Sequence, residues 1–249
     1  MSFEGKTAIV TGGGRDIGLG CVRRLAAEGA RVAVNYFASA AGAEAAVAAI
    51  RSAGGAAIAV QGDMKDPADV ARLVAETQAA FGPEIHVLMH VTGGIVARKR
   101  IEEMDAAHFA EVMDLNVGSL FNVVKAVAPH MPEGGAIVTF ASQAGRDGGG
   151  PGAVAYGASK GAVMAMTRGL AKEFGPRIRV NALCPGLIDT DFHNIHTKPE
   201  SRAAVAKASP VRREGTIEDT AALAAFLASD DAGFITGACV DINGGMLFS

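Results

Sequence analysis

The sequence predicts an α/β fold in which a doubly wound parallel sheet carries helices on both faces. Three observations predict it. Short runs rich in Val and Ile alternate with longer Ala-rich stretches from one end of the chain to the other, and strands alternating with helices join by right-handed crossovers and lie parallel. A Gly-rich turn, Gly12-Gly13-Gly14, separates the first strand from the first helix. Hydrophobic residues make up 49% of the chain against 20% charged ones, enough apolar surface to cover a sheet on both sides.

The strands are expected at Thr7–Thr11, Arg31–Tyr36, Ala56–Gln61, His86–Val91, Ala136–Phe140, Ile178–Leu183 and Ala238–Asp241, most of them flanked by Gly, Pro or Asp. Helices are expected near 16–28, 40–53, 67–81, 105–131, 153–174 and 217–228. Pro185 to about Gly215 holds no clear element, which marks a lid or binding segment. No Pro/Ser linker or solenoid repeat divides the 249 residues, so one domain spanning 1–249 is expected, with a substrate loop at about 187–213.

A net charge of −3 argues against nucleic acid or an anionic membrane as partner. No run approaches the roughly 20 apolar residues of a membrane span, and Met1–Lys6 lacks the layout of a secretory leader. Cys21, Cys184 and Cys239 are few and far apart, suggesting neither disulfides nor a metal site. A cytoplasmic protein acting on a small molecule is the expectation.

In doubly wound sheets ligands bind at the carboxyl ends of the strands, where strand order reverses. After the first strand comes Thr11-Gly12-Gly13-Gly14-Arg15-Asp16-Ile17-Gly18, opening a helix. Such a turn lets backbone approach a pyrophosphate, and the free N–H groups of the helix start attract its charge. A strand follows to close a βαβ unit, which favours phosphate binding over a mere tight turn. NAD sites usually place a carboxylate after the second strand to hold the ribose 2′-OH; here stand Asn35-Tyr36-Phe37. Arg15 in the turn suits a 2′-phosphate. NADP(H) is therefore favoured, with NAD(H) the alternative. After the third strand, Asp63 in Gly62-Asp63-Met64 is either an adenine acceptor or a helix N-cap.

Tyr156 and Lys160 lie one turn apart on a predicted helix. A phenol with its ordinary pKa near 10 is a poor proton donor or acceptor near neutrality. An ammonium about 4 Å away contributes up to about 4 kcal/mol at an effective dielectric of 20, enough to lower that pKa by several units. Tyr156 would then serve as general acid or base for a carbonyl/alcohol pair. Ser142, after the fifth strand, is placed to donate to a substrate oxygen, or simply to cap a turn. Asn116 interrupts an apolar stripe of Phe109, Met113, Leu120, Val124, Val127 and Met131. A buried amide there either holds a water that links Lys160 to solvent or is a satisfied structural residue.

Taken together, the Thr11–Gly18 turn, Asn116, Ser142, the Tyr156-x-x-x-Lys160 pair and Pro185-Gly186 followed by Thr190 resemble the short-chain dehydrogenase/reductase family over essentially the whole chain. The resemblance implies a Rossmann-type sheet of seven parallel strands, a homotetramer or homodimer, and a tetrad of Asn116, Ser142, Tyr156 and Lys160. It implies a dinucleotide lying along Gly12, Arg15, Ile17, Asn35, Asp63 and Met64, then Gly93, Tyr156 and Lys160, and finally Pro185, Gly186, Ile188 and Thr190. Lys160 would hold the nicotinamide ribose, and Ile188 and Thr190 the carboxamide. In the family's reductive direction hydride passes from nicotinamide C4 to the carbonyl carbon while Tyr156 protonates the oxygen.

Two positions depart from the family pattern. Asp16 stands where the second turn glycine is usual; it could cap the helix or repel the pyrophosphate. His90-Val91 stands in place of the Asn pair that follows the fourth strand, and His90 could supply a substitute hydrogen bond. The substrate is expected to be a 3-oxoacyl thioester or a sugar or polyol. Its acidic parts could be steered by Arg98-Lys99-Arg100, or that run is a solvated face. The alternative is a low-turnover dinucleotide-binding sensor or scaffold that keeps the fold.

Overall fold

In a computed structural model describing residues 1–249, β1 (Thr7–Thr11), β2 (Arg31–Tyr36), β3 (Ala57–Gln61), β4 (Val87–His90), β5 (Gly135–Phe140), β6 (Ile178–Pro185) and β7 (Cys239–Ile242) form one sheet. All pairings are parallel, in the order β3-β2-β1-β4-β5-β6-β7. The expected seven-stranded Rossmann-type sheet is therefore present, with order reversing between β1 and β4.

Successive residues of a strand point to opposite faces, and both faces here are apolar. Ala8, Val10, Val32, Val34, Val87 and Val138 pack against α1 (Asp16–Ala27), α2 (Ala40–Ser52) and, near the C-terminus, the helix Ile217–Ala228. Ile9, Ala33, Leu88, Ile137 and Ala182 face α3 (Pro67–Phe81) and two later helices, Ser119–Val127 and Val154–Phe174. Burying each such Val, Leu or Ile contributes about 1.5–3 kcal/mol. No helix is long and apolar enough to cross a membrane.

Three helical expectations need correction. The span 105–131 is α4 (Ala106–Met113), a π-helical turn at Asp114–Gly118, α5 (Ser119–Val127) and a 3₁₀ turn at Ala128–His130. The π turn inserts one extra residue into the helical repeat. Ahead of it the buried positions are therefore His108 and Val112, not Phe109 and Met113; Phe109 is exposed. Next, a short helix α6 (Ala144–Asp147) forms between β5 and α7 (Val154–Phe174), where no helix is expected. Finally, the segment after Pro185 contains α8 (Asp191–His196) and α9 (Pro199–Ala208), followed by α10 (Ile217–Ala228). Neither α8 nor α9 buries a residue, so no apolar period announces them; Pro199 at the first turn of α9 is their one local signal.

His90 ends β4 in the core, 3% exposed. Its Nδ1 lies 3.0 Å from Thr11 Oγ1 and its Nε2 3.1 Å from Ser119 Oγ. Ser119 donates to the Leu115 carbonyl at 2.6 Å, so Ser119 Oγ accepts from an Nε2–H, and Nδ1 accepts from the Thr11 hydroxyl. One neutral imidazole thus joins β1, β4 and α5, which makes it the substitute hydrogen bond anticipated for this position. Burial, and then the Lys160 charge, push its pKa down to about 3.

The unfolded chain binds a proton at His90 near pH 6.5 and the folded one does not. The contribution to stability is therefore complete above about pH 6.5 and shrinks as pH falls toward 3, by up to about 1.4 kcal/mol per pH unit. Urea midpoints should drop steadily between pH 7 and 4. His90→Gln should lower stability at pH 7 by about 1–3 kcal/mol and flatten that slope; an unchanged slope would assign the acid sensitivity elsewhere.

Candidate active site

A cavity of about 920 Å³ opens at the carboxyl ends of the strands. Its walls come from the segments that follow β1 through β7, where the reversal of strand order opens a crevice. At its centre the Gly12 turn passes so close to the end of β4 that a Cβ on Gly12 would lie 3.1 Å from the Thr92 nitrogen; its φ is +63°. Only glycine meets both conditions without strain.

The first turn of α1 faces the cavity through Arg15, Asp16 and Ile17. Asn35 stitches this region together. Its Oδ1 accepts from Gly12 N at 3.3 Å and its Nδ2 donates to Gly62 O at 3.1 Å, while Gly13 N reaches its carbonyl at 2.8 Å. No carboxylate lines the cavity between Asn35 and Ser39. Arg15 is largely exposed, its Nη1 3.3 Å from Asp16 Oδ2. Asp63 does not cap α3, whose N-cap is Asp66. The Asp63 carboxylate accepts from Lys65 N at 2.9 Å and borders the cavity beside the buried Met64. Nor does Asp16 cap α1: no side-chain bond closes the start of that helix.

Tyr156 and Lys160 share one face of α7. Lys160, 5% exposed, donates from Nζ to the Phe140 carbonyl at 2.7 Å, and the same atom sits 5.7 Å from the centre of the Tyr156 ring. Burial lowers its pKa to about 8. Ser142 accepts from Ala144 N at 3.1 Å and borders the cavity together with Tyr156. The Tyr156 pKa is raised, contrary to the expectation from sequence. Burial outweighs the lowering influence of the Ser142 hydroxyl and of the Arg98 charge, while the Lys160 ammonium is directed at a carbonyl and lies over the ring face.

Gly12, Arg15, Ile17, Asn35, Asp63, Met64 and Gly93 all border this cavity, as do Ser142, Tyr156, Lys160, Pro185, Gly186, Ile188 and Thr190. Asn116 does not. Its amide is 1% exposed and exchanges two hydrogen bonds with Gly94, from Gly94 N to Oδ1 at 3.0 Å and from Nδ2 to Gly94 O at 2.8 Å; Nδ2 also donates to Val112 O at 2.9 Å. It supports the cavity wall from behind: a Cβ on Gly93 would stand 2.6 Å from Asn116 Oδ1 and 3.0 Å from Lys160 Nζ.

Of the basic run, only Arg98 borders the cavity; its Nε donates to His196 O and its Nη1 to Pro151 O, both at 3.1 Å. Lys99 pairs with Asp105 and Arg100 with Glu102. Sequence reasoning missed Phe192, whose ring centre is 6.1 Å from that of Tyr156, and also Ile95 and Met246. The last two follow β4 and β7, so the strand-end rule could have found them; Phe192 had no such signal.

The donors fit a dinucleotide: a helix start and a glycine floor for the pyrophosphate, Asn35 in place of a carboxylate, and a protonatable pair at the far end. The Asp16 carboxylate is the discordant group. A family profile described as "Enoyl-(Acyl carrier protein) reductase" matches residues 12–247. The chain is 38% identical to an uncharacterised oxidoreductase of Methylorubrum extorquens, over 98% of each chain. It is 36% identical to a 3-oxoacyl-[acyl-carrier-protein] reductase of Staphylococcus aureus, over 97% of this chain and 98% of the relative. A short chain dehydrogenase of Burkholderia cenocepacia, solved in complex with NADP, superposes with a TM-score of 0.91 at 35% identity, over 98% of this chain and 99% of the other.

Gly93→Ala should displace both Asn116 and Lys160, lowering stability by about 1–3 kcal/mol and weakening dinucleotide binding at least about tenfold. Gly169→Ala is the control: it lies inside α7 with nothing within 4 Å of a new Cβ, and should stabilise by about 0.5–1 kcal/mol. Urea melts and fluorescence titration of reduced nucleotide read both.

Proposed function

The chain belongs to the short-chain dehydrogenase/reductase family, a family of oxidoreductases, and from that premise we propose that it reduces a carbonyl compound with NADPH, Tyr156 supplying the proton. The observation that carries this reading is the single cavity wall shared by Tyr156, Ser142 and Lys160. NADPH, when bound, supplies the hydride. Gly12, Arg15, Ile17, Asn35, Asp63 and Met64 would hold its adenosine and phosphate end; Gly93, Lys160, Pro185, Gly186, Ile188 and Thr190 would hold the other.

A phenol whose pKa is pushed up by burial keeps its proton at neutral pH. That is the form a proton donor to a ketone oxygen needs, but burial by itself makes the phenol a weaker acid, so the cation behind the ring has to favour the phenolate. Ser142 holds the carbonyl oxygen beside the phenol. Lys160, braced on the Phe140 carbonyl, keeps positive charge behind the ring up to about pH 8 and would favour the phenolate left after proton transfer. Asn116 would act through Gly93 and Gly94, fixing the floor on which Lys160 rests.

NADP(H) over NAD(H) is supported by the missing carboxylate after β2 and by Arg15. Ile95, Leu187, Phe192, Val205 and Met246 make the substrate end largely apolar. That supports a 3-oxoacyl thioester over a sugar or polyol. Exposed Ile101, Phe109 and Phe121 support burial between subunits of a homo-oligomer, which sizing chromatography would test.

Tyr156→Phe should reduce kcat by at least about 10²-fold while leaving the NADPH dissociation constant within about threefold; single-turnover absorbance and fluorescence titration separate the two. Turnover that persists in this variant would remove Tyr156 from the chemistry. NADPH binding with no ketone reduced across a panel would favour the low-turnover sensor. NADPH should bind at least about tenfold more tightly than NADH, a margin of about 1.4 kcal/mol, and Arg15→Gln should erase most of that difference.

A further inference from the structure

Asp16 is the first residue of α1 and has φ +49°, a left-handed conformation that costs most residues free energy but that Gly, and to a lesser extent Asn and Asp, adopt readily. Its side chain is only 19% exposed and borders the proposed pyrophosphate region of the cavity. A carboxylate facing a diphosphate is repelled by it. What the residue does instead is visible across 175 positions of sequence: its Oδ1 accepts the backbone N–H of Asp191 at 3.0 Å.

Asp191 opens α8, and the next residue, Phe192, places its ring 6.1 Å from Tyr156. Phe192 in turn packs edge-on against His193, ring centres 5.0 Å apart, and at 5.1 Å from His196. The helix has six residues and buries none of them, so packing does little to fix it. Polar ties do: Asp16 at its first residue, Arg202 on Asn194, and Arg98 on the His196 carbonyl.

We propose that Asp16 is a positioning residue that seats α8, and with it Phe192, over Tyr156, at the expense of dinucleotide affinity. The affinity half rests on the dinucleotide reading above; the seating half stands on the free protein. The tie is made by a side-chain oxygen, which an amide also offers, so the bond itself does not need the charge. The charge opposes the pyrophosphate. A glycine at this position would relieve the backbone and welcome the phosphates, but leave the Asp191 N–H with no partner from the turn.

Asp16→Gly and Asp16→Asn test this, since both residues tolerate positive φ and both variants should fold. Fluorescence titration should show NADPH bound about 3- to 10-fold more tightly by each. Hydrogen exchange on the free protein should show the Asp191 amide opening at least about tenfold faster in Asp16→Gly and within about threefold of wild type in Asp16→Asn, which keeps an acceptor. With the ketone that wild type reduces best, KM should rise about fivefold or more in Asp16→Gly and recover in Asp16→Asn, kcat changing less. Unchanged Asp191 exchange in Asp16→Gly, or unchanged NADPH affinity in both variants, overturns the proposal. If wild-type protein bound no dinucleotide, the proposed function would fall and the affinity half with it, while the exchange measurement would still decide the tether.

Discussion

The close passage of the Gly12 turn over the end of β4 is the constraint from which the rest of the molecule follows. Chain winding leaves β1 toward β2 on one side and β4 toward β5 on the other, so a crevice must open between them. The crevice is useful only if backbone lines it closely. That closeness is set by atoms: Gly12 has no room for a Cβ, Thr92 N donates to Thr11 Oγ1 at 3.3 Å, and the same hydroxyl meets His90. The Gly12 turn and the end of β4 are thereby tied directly together.

Polar groups buried around that crevice divide into two kinds. His90, Asn116 and Asn35 are hydrogen-bonded inside the protein and carry no charge, so their burial is matched by bonds that water would otherwise provide. Lys160 and Tyr156 are different, because each can carry a charge and burial disfavours the charged form of each. Lys160 keeps a carbonyl partner yet has its pKa drawn down to about 8. Tyr156 is pushed the other way and stays protonated. In the proposed reduction, a negative charge developing on the phenol would be met by Ser142 and by the cation behind the ring.

Where strands lie was legible in the sequence, because a buried parallel strand has to be a short apolar run between turn residues. The boundaries of β1 and β2 match the expectation residue for residue, and β6 continues only two residues further, to Pro185. The cavity was legible for the same reason: apart from Tyr156 and Lys160 on α7, the predicted cofactor residues lie at or shortly after strand ends, and strand ends converge. What the sequence concealed had tertiary causes. The helical phase before Asn116 slipped by one residue because a π turn, invisible to a 3.6-residue period, lets the Asn116 amide reach Gly94. The helices α8 and α9 are held by side-chain ties from distant residues, Asp16 and Glu214 among them, and so leave no periodic trace. The acidity of Tyr156 was misjudged because a spacing of four residues fixes which face two side chains share but not which way the longer one points.

The two departures from the family pattern therefore differ in kind. His90 is absorbed by the fold: its two nitrogens find Thr11 and Ser119, its charge is suppressed, and the wall beneath the crevice is complete without the usual amide. Asp16 cannot be absorbed in that way. Its carboxylate lies at the lip of the cavity, within reach of both the turn and α8, so whatever enters the cavity meets it. A substitution at the base of a crevice is constrained by packing and tends to be silent in function. One at the lip faces ligand on one side and α8 on the other, and its charge has to favour one of them.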